Sequence, residues 1–246
     1  MEDQFTRTRM LIGDDAVQRL ANAHVAVFGV GGVGGYVVEV LARSGVGAID
    51  IIDNDTVNIT NINRQIIALH STIGQPKVDV TAVRIKDINP NCRVEKFNMF
   101  YLPENAGTID LSKYDYVVDC IDTVTAKIEL IKRCHTLGKP IICSMGTANK
   151  MDPTQFRIVD ITETSIDPLA KILRKKLRHI GIEHVKVVFS PEQPMKPLTE
   201  YEPESDNTSR RPTPASNAFV PAAAGLVIGG EVVKEITIKN RLSFLA

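Results

Sequence analysis

The 246 residues, 43% of them hydrophobic, suffice for one large α/β core or for one domain with a small appendage, and they exclude a disordered tail protein. Lysine plus arginine (29) balances aspartate plus glutamate (29), so no overall field draws the chain to nucleic acid or membrane, and any such contact must be local. The cysteines, Cys92, Cys120, Cys134 and Cys143, form no C-x-x-C pair, which fits a reducing cytoplasm and gives neither a disulfide framework nor a zinc site.

The first seven residues are charged and lack the apolar stretch of a secretory leader. Residues 24–28 read as a short buried strand, 29–35 as a glycine turn, 36–44 as a helix closed by Gly45, and 48–53 as a second strand, which completes a β-α-β crossover. A helix over 77–88, strands over 94–98 and 116–121, a helix over 124–137 and a strand over 140–144 follow. Cys120 and Cys143 fall in these strand runs and are expected as small buried hydrophobes. Strands over 155–160 and 185–189 flank a basic helix over 167–179. The alternation predicts a Rossmann-like α/β fold, a mainly parallel sheet with helices on both faces, carrying a C-terminal extension. No histidine pairs with another at a metal-ligand spacing, and His24, His179 and His184 are expected to be solvated. Residues 191–214 hold six prolines and read as a long mobile loop or crossover, followed by a closing helix over 221–236. The uncharged run 213–230 is interrupted by Pro214, Pro221, Gly225 and Gly229, which favours a buried terminal helix over a membrane span of about 20 apolar residues. A cytoplasmic protein is expected, with contact between the terminal helix and a membrane surface left open.

The glycine turn, with Gly29, Gly31, Gly32 and Gly34, lets backbone N–H groups approach a phosphate at a helix N-terminus; its bland alternative is close helix–strand packing without a ligand. Asp53, ending the second strand, stands where a carboxylate accepts hydrogen bonds from a ribose diol, so NAD and ATP both remain possible at this point. The segment Asn61-Ile62-Asn63-Arg64-Gln65 and the later Lys77 separate them, because cleaving a triphosphate develops charge that a cationic pair neutralises. Asp119 and Asp122 lie at the carboxyl end of the fourth strand, and one of them can hold magnesium. Singly, Arg64 also reads as a surface ion pair, Lys77 as a helix-start charge and Asp122 as a helix cap.

In order, Arg7, Gly29-x-Gly-Gly-x-Gly, Asp53, Asn61-x-x-Arg64-Gln65, Lys77 and Asp122 resemble the adenylation domain of the ThiF/MoeB/ubiquitin-activating family over about residues 5–145. The resemblance implies an ATP-binding adenylation domain over 1–150 and a substrate-recognition extension of the same fold over 151–246. It implies that Arg64, Gln65 and Lys77 contact the phosphates, with Asn61 in the same motif, that Asp53 holds the ribose and that Asp122 binds Mg2+. The arginine matching Arg7 reaches the site of a neighbouring subunit, which implies a homodimer. Sulfur-carrier and ubiquitin activators bring a catalytic cysteine in the second half, and many carry four zinc-binding cysteines. This chain has no cysteine after Cys143, so it lacks that nucleophile and holds no such zinc site.

The segments 144–154, Asp167-Pro168-Leu169-Ala170 and Ala218-Phe219-Val220-Pro221 resemble the threonylcarbamoyladenosine dehydratase branch, which cyclises a modification on tRNA. Gly35, where a serine is frequent, and Pro214-Ala215-Ser216, where Pro-Gly-Ser is usual, depart from that pattern. A basic set, Lys171, Arg174, Lys175, Lys176 and Arg178 with Arg210 and Arg211, could hold tRNA phosphates or form a solvated face. The second reading within the superfamily is adenylation of the C-terminal glycine of a ubiquitin-like sulfur carrier, relying on the thiol of an accessory sulfur-transfer protein. An NAD-linked oxidoreductase and a non-catalytic nucleotide-binding partner are the readings outside it.

Overall fold

The computed structural model of the chain describes residues 2–199 and 214–238. Two helices precede the first strand. α1 (Thr6–Ile12) buries no residue of its own and is tethered through Phe5, whose ring stands 3.3 Å from where a side chain at Gly45 would begin. α2 (Asp14–Asn22) sends Ala16, Val17 and Leu20 into the core and opens on Asp14 and Asp15, which suit the positive end of a helix dipole. Both helices precede the first element expected from the sequence, although Ala16, Val17 and Leu20 already carry a helical spacing.

The alternation then runs β1 (His24–Phe28), α3 (Gly34–Ser44), β2 (Ala48–Ile52), α4 (Lys77–Ile88), β3 (Arg93–Phe97), β4 (Tyr116–Asp119), α5 (Val124–Leu137) and β5 (Ile141–Ser144). β6 (Arg157–Asp160), α6 (Pro168–His179), β7 (Lys186–Phe189) and α7 (Val220–Ile238) complete it. Seven strands form one sheet in the order β3-β2-β1-β4-β5-β7-β6, parallel throughout except for β6, which pairs antiparallel with β7 at the edge. β1 shows why both faces must be covered. Val25 and Val27 enter a core with α2, α3, α4 and α7, whereas Ala26 and Phe28 enter a second core with α5.

The differences from the sequence reading have local causes. α3 begins at Gly34, two residues before the expected 36, because the end of the glycine turn already takes up the helix. β4 stops at Asp119, short of 121, because the Ile121 N–H donates to the Asp119 side chain instead of a strand neighbour (3.1 Å). Cys120 therefore lies in a turn, half-buried, and is not the buried strand residue expected, whereas Cys143 is buried in β5 as expected. His24 is not solvated. It opens β1 at 9% exposure, with Nε2 2.9 Å from Oδ1 of Asp50, a fully buried carboxylate on β2 that also accepts from the Tyr114 hydroxyl at 2.9 Å.

β6 and β7 continue the same sheet, and α7 returns across the first half to pack on α3. Glycines make that approach possible: a Cβ at Gly225 would stand 2.4 Å from the Val33 carbonyl oxygen, and one at Gly229 2.7 Å from Val40 Cβ. Of the expected loop over 191–214, residues 191–199 and 214 are described and form no helix or strand. No helix among the described residues is long and apolar enough to cross a membrane.

Candidate active site

In this strand order the chain leaves β1 toward β2 on one side and reaches β4 on the other, so the crevice at the carboxyl ends of β1 and β4 is the topological switch point. A cleft of about 720 Å³ opens there. It gathers Gly29, Gly31, Gly32, Asp53, Asn61, Arg64, Gln65, Lys77 and Asp122, residues drawn from separate stretches of sequence. Gly34 is buried and does not line it; a Cβ there would stand 1.8 Å from the Gly29 carbonyl oxygen, so this glycine lets the helix start fold back against the turn. Gly29 has φ +84°, a left-handed conformation that disfavours any side chain.

Asp53 is tied to the turn, accepting the Val30 N–H at 2.8 Å through Oδ2 and the Asp55 N–H at 2.9 Å through Oδ1. Burial raises its pKa, and the positive charge of Lys77 works against that rise. Lys77 opens α4 behind Pro76, and its Nζ lies 2.6 Å from Asp55 Oδ2. Arg64 donates to the Thr60 carbonyl at 3.0 Å and to Asn63 Oδ1 at 2.9 Å, and it has no carboxylate partner among the described residues. Burial lowers the Arg64 pKa; a guanidinium stays charged even so. Lining the cleft and unpaired with any carboxylate among the described residues, it is available to an anion. Asn61 caps its own short turn, its Oδ1 accepting the Asn58 N–H at 3.0 Å. Gln65 is 6% exposed, and its buried Oε1 has no protein partner among the described residues.

The two strand-end carboxylates differ in availability. Asp119 is fully buried and paired with Lys127 at 2.9 Å. Asp122 is exposed, lines the cleft and, among the described residues, meets only the Thr123 hydroxyl, at 3.3 Å. The cap position of α5 belongs to Thr123, which leaves the Asp122 carboxylate free of a capping role.

Among the described residues, a further part of the cleft wall is uncharged: Ser144, Met145, Gly146, Thr147 and Ala148 from the end of β5, with Leu169, Pro214, Ser216 and Pro221. Three residues that the sequence places in notable segments without a site role hold this wall. Asp167, 3% exposed, accepts the Gly146 N–H at 3.0 Å and caps α6 through the Ala170 N–H at 2.9 Å. Asn149, with φ +60°, exchanges two hydrogen bonds of 2.9 Å with the Ala215 backbone. Asn63 donates to the Ser216 carbonyl at 3.1 Å, joining the 214–217 segment to the Arg64 turn. Asp167-Pro168 was legible as a helix start, but its bond to Gly146 depends on tertiary placement. Cys120 lines the floor beside the glycine turn, and burial pushes its thiol up to about 12.

Several candidate residues lie elsewhere. Arg7 is exposed on α1 and does not line this chain's cleft. Lys171, Lys175, Lys176 and Arg178 are exposed on α6. Arg174 corrects the expectation of a free basic face: its guanidinium donates to the Ile161 carbonyl at 3.3 Å and to the carbonyl and hydroxyl of Thr164, holding the segment after β6. Arg210 and Arg211 lie outside the described residues.

The ThiF family model matches residues 5–244. The tRNA threonylcarbamoyladenosine dehydratase of Bacillus subtilis (strain 168) is 48% identical over 250 residues, covering 98% of each chain. That of Escherichia coli (strain K12) is 43% identical over 175 residues, 71% of this chain and 65% of that protein. The crystal structure of E. coli tRNA N6-threonylcarbamoyladenosine dehydratase in complex with ATP superposes with a TM-score of 0.84 at 36% identity, covering 96% of this chain and 94% of that one. With the glycine turn, the cationic pair, Asp53 and Asp122 assembled in one cleft, the chain belongs to the ThiF family, in the group of the tRNA threonylcarbamoyladenosine dehydratases.

Proposed function

We propose that the chain uses ATP to dehydrate threonylcarbamoyladenosine in tRNA. The observation that carries this reading is one cleft that brings Arg64 and Lys77 together with the glycine turn, Asp53 and Asp122 and includes the uncharged stretch Ser144–Ala148. The substrate carboxylate attacks the α-phosphorus of ATP and pyrophosphate leaves; the neighbouring urea nitrogen then attacks the acyl carbon, AMP leaves, and the nitrogen gives up its proton. Ring closure is intramolecular, so a pre-positioned adenylate needs no cysteine relay. Cys120, the thiol on the cleft floor, is held protonated by burial.

In this reading the N–H groups of the glycine turn hold phosphate at the start of α3, Asp53 accepts from the ribose, and Arg64 and Lys77 offset charge on the phosphates. The donor set suits magnesium. Asp122 offers an exposed carboxylate oxygen beside the turn, and a hard cation held by one carboxylate plus nucleotide phosphates needs no cluster of ligands. Among the described residues there is no group of three candidate metal-binding side chains. When bound, magnesium would neutralise phosphate charge next to Asp122. A tRNA substrate fits a cytoplasmic enzyme, and the acceptor wall is formed by Ser144–Ala148 at the end of β5 together with Leu169, Pro214, Ser216 and Pro221 from the 151–246 extension.

Incubation with ATP, magnesium and tRNA, followed by mass analysis of the nucleosides, should show threonylcarbamoyladenosine losing one water. An unaltered nucleoside, together with pyrophosphate exchange stimulated by a protein C-terminus, would replace the tRNA reading with sulfur-carrier activation.

The homodimer rests on Arg7, which is exposed and outside its own cleft. Arg7→Ala and Asp122→Ala should each be inactive alone, while mixed dimers regain activity because one site then keeps both residues. No recovery with subunit exchange verified argues against delivery in trans. For the tRNA surface, replacing Lys171, Lys175 and Arg178 with alanine should weaken tRNA binding and lower its salt slope by about 1 for each phosphate that is no longer neutralised. ATP affinity serves as the internal control and should hold. Parental tRNA affinity and salt slope would make α6 a solvated face.

A further inference from the structure

Asp119 and Lys127 form an ion pair of 2.9 Å in which both side chains are fully buried, and Lys127 does not line the cleft. Burial works against the Lys127 charge, and Asp119 with the neighbouring Cys143 and Cys120 outweighs it, leaving the amine raised. Such a pair is a poor source of stability, because the cost of desolvating two charges offsets their attraction and an apolar pair of similar volume is often as stable. Its connections suggest another role. Asp119 is the last residue of β4, Lys127 lies one turn into α5, and the second Asp119 oxygen accepts the Ile121 N–H at 3.1 Å. One carboxylate thus fixes the strand end, the helix start and the turn between them, and the residue after Ile121 is Asp122.

We infer that Asp119 and Lys127 are positioning residues that fix the Cys120–Asp122 turn so that Asp122 presents its carboxylate to the magnesium of the bound nucleotide. This rests on the reading of Asp122 given above. Residues that orient a metal ligand from behind typically change metal affinity by about 10- to 100-fold when replaced.

The test is calorimetric titration of ATP into the full chain without tRNA, over a range of magnesium concentrations. Asp119→Leu/Lys127→Met removes both charges and the acceptor for Ile121. It should fold with a parental melting temperature, bind magnesium-free ATP as the parent does, and need about 10- to 100-fold more magnesium for the same gain in ATP affinity. Asp119→Asn/Lys127→Met still accepts the Ile121 N–H and should recover most of that loss. The inference is overturned if the Leu/Met variant keeps the parental magnesium dependence, or if it fails to fold, which would assign the pair to stability. Asp122→Ala is measured alongside. If it too keeps the parental magnesium dependence, the reading of Asp122 itself is wrong; if it alone loses that dependence, only the positioning role falls.

Discussion

Lys77→Ala and Arg64→Ala should each lower the rate of adenylate formation by about 10²- to 10³-fold, the scale of losing one preorganised donor to developing charge. The Lys77–Asp55 pair joins a buried amine, 6% exposed, to a carboxylate 58% exposed at 2.6 Å, so a loss of stability is read separately from the loss of rate. Lys77→Met should also move the acid limb of the activity profile to higher pH. Burial already raises Asp53 and Lys77 opposes it, so removing the cation raises Asp53 further, and the ionised carboxylate is lost at a higher pH on descent. Single-turnover rates, melting temperatures and a pH series on the same preparations check these points together. Rates near the parent's would reduce Arg64 and Lys77 to surface charges, and an unmoved acid limb would separate Lys77 from Asp53.

Gly34→Ala should destabilise the chain by about 3 kcal/mol or more, the upper end of overpacking costs, since its Cβ would stand 1.8 Å from the Gly29 carbonyl oxygen and 3.3 Å from Cys120 Cβ. The clash is with backbone, so no rotamer relieves it; the turn must move away from α3, and ATP affinity should fall with stability. For a chain of this length the melting temperature should drop by about 6–12 °C. Gly107→Ala is the control, because a Cβ there meets nothing within 4 Å. Differential scanning calorimetry and ATP titration of both variants decide the matter. A Gly34→Ala protein that melts and binds like the parent would show that the turn tolerates displacement.

The sequence by itself determined the β-α-β opening, because a short apolar strand, a glycine turn and an amphipathic helix are each set by residues close in the chain. Its resemblance to the ThiF/MoeB/ubiquitin-activating family also singled out the Asn61-x-x-Arg64-Gln65 motif, Asp53, Lys77 and Asp122, which the fold brings to one cleft. Tertiary structure decided which of the neighbouring carboxylates is available: Lys127, from the following helix, closes off Asp119 and leaves Asp122 in the cleft. It likewise withdrew Arg174 from the basic face and buried His24 against Asp50, in both cases because a polar group on another segment had to be satisfied. The acceptor wall was the least legible part. Asp167, Asn149 and Asn63 support it through hydrogen bonds to Gly146, Ala215 and Ser216. No pattern along one segment encodes such hydrogen bonds, because they depend on how β5, α6 and the start of α7 converge at the carboxyl end of the sheet.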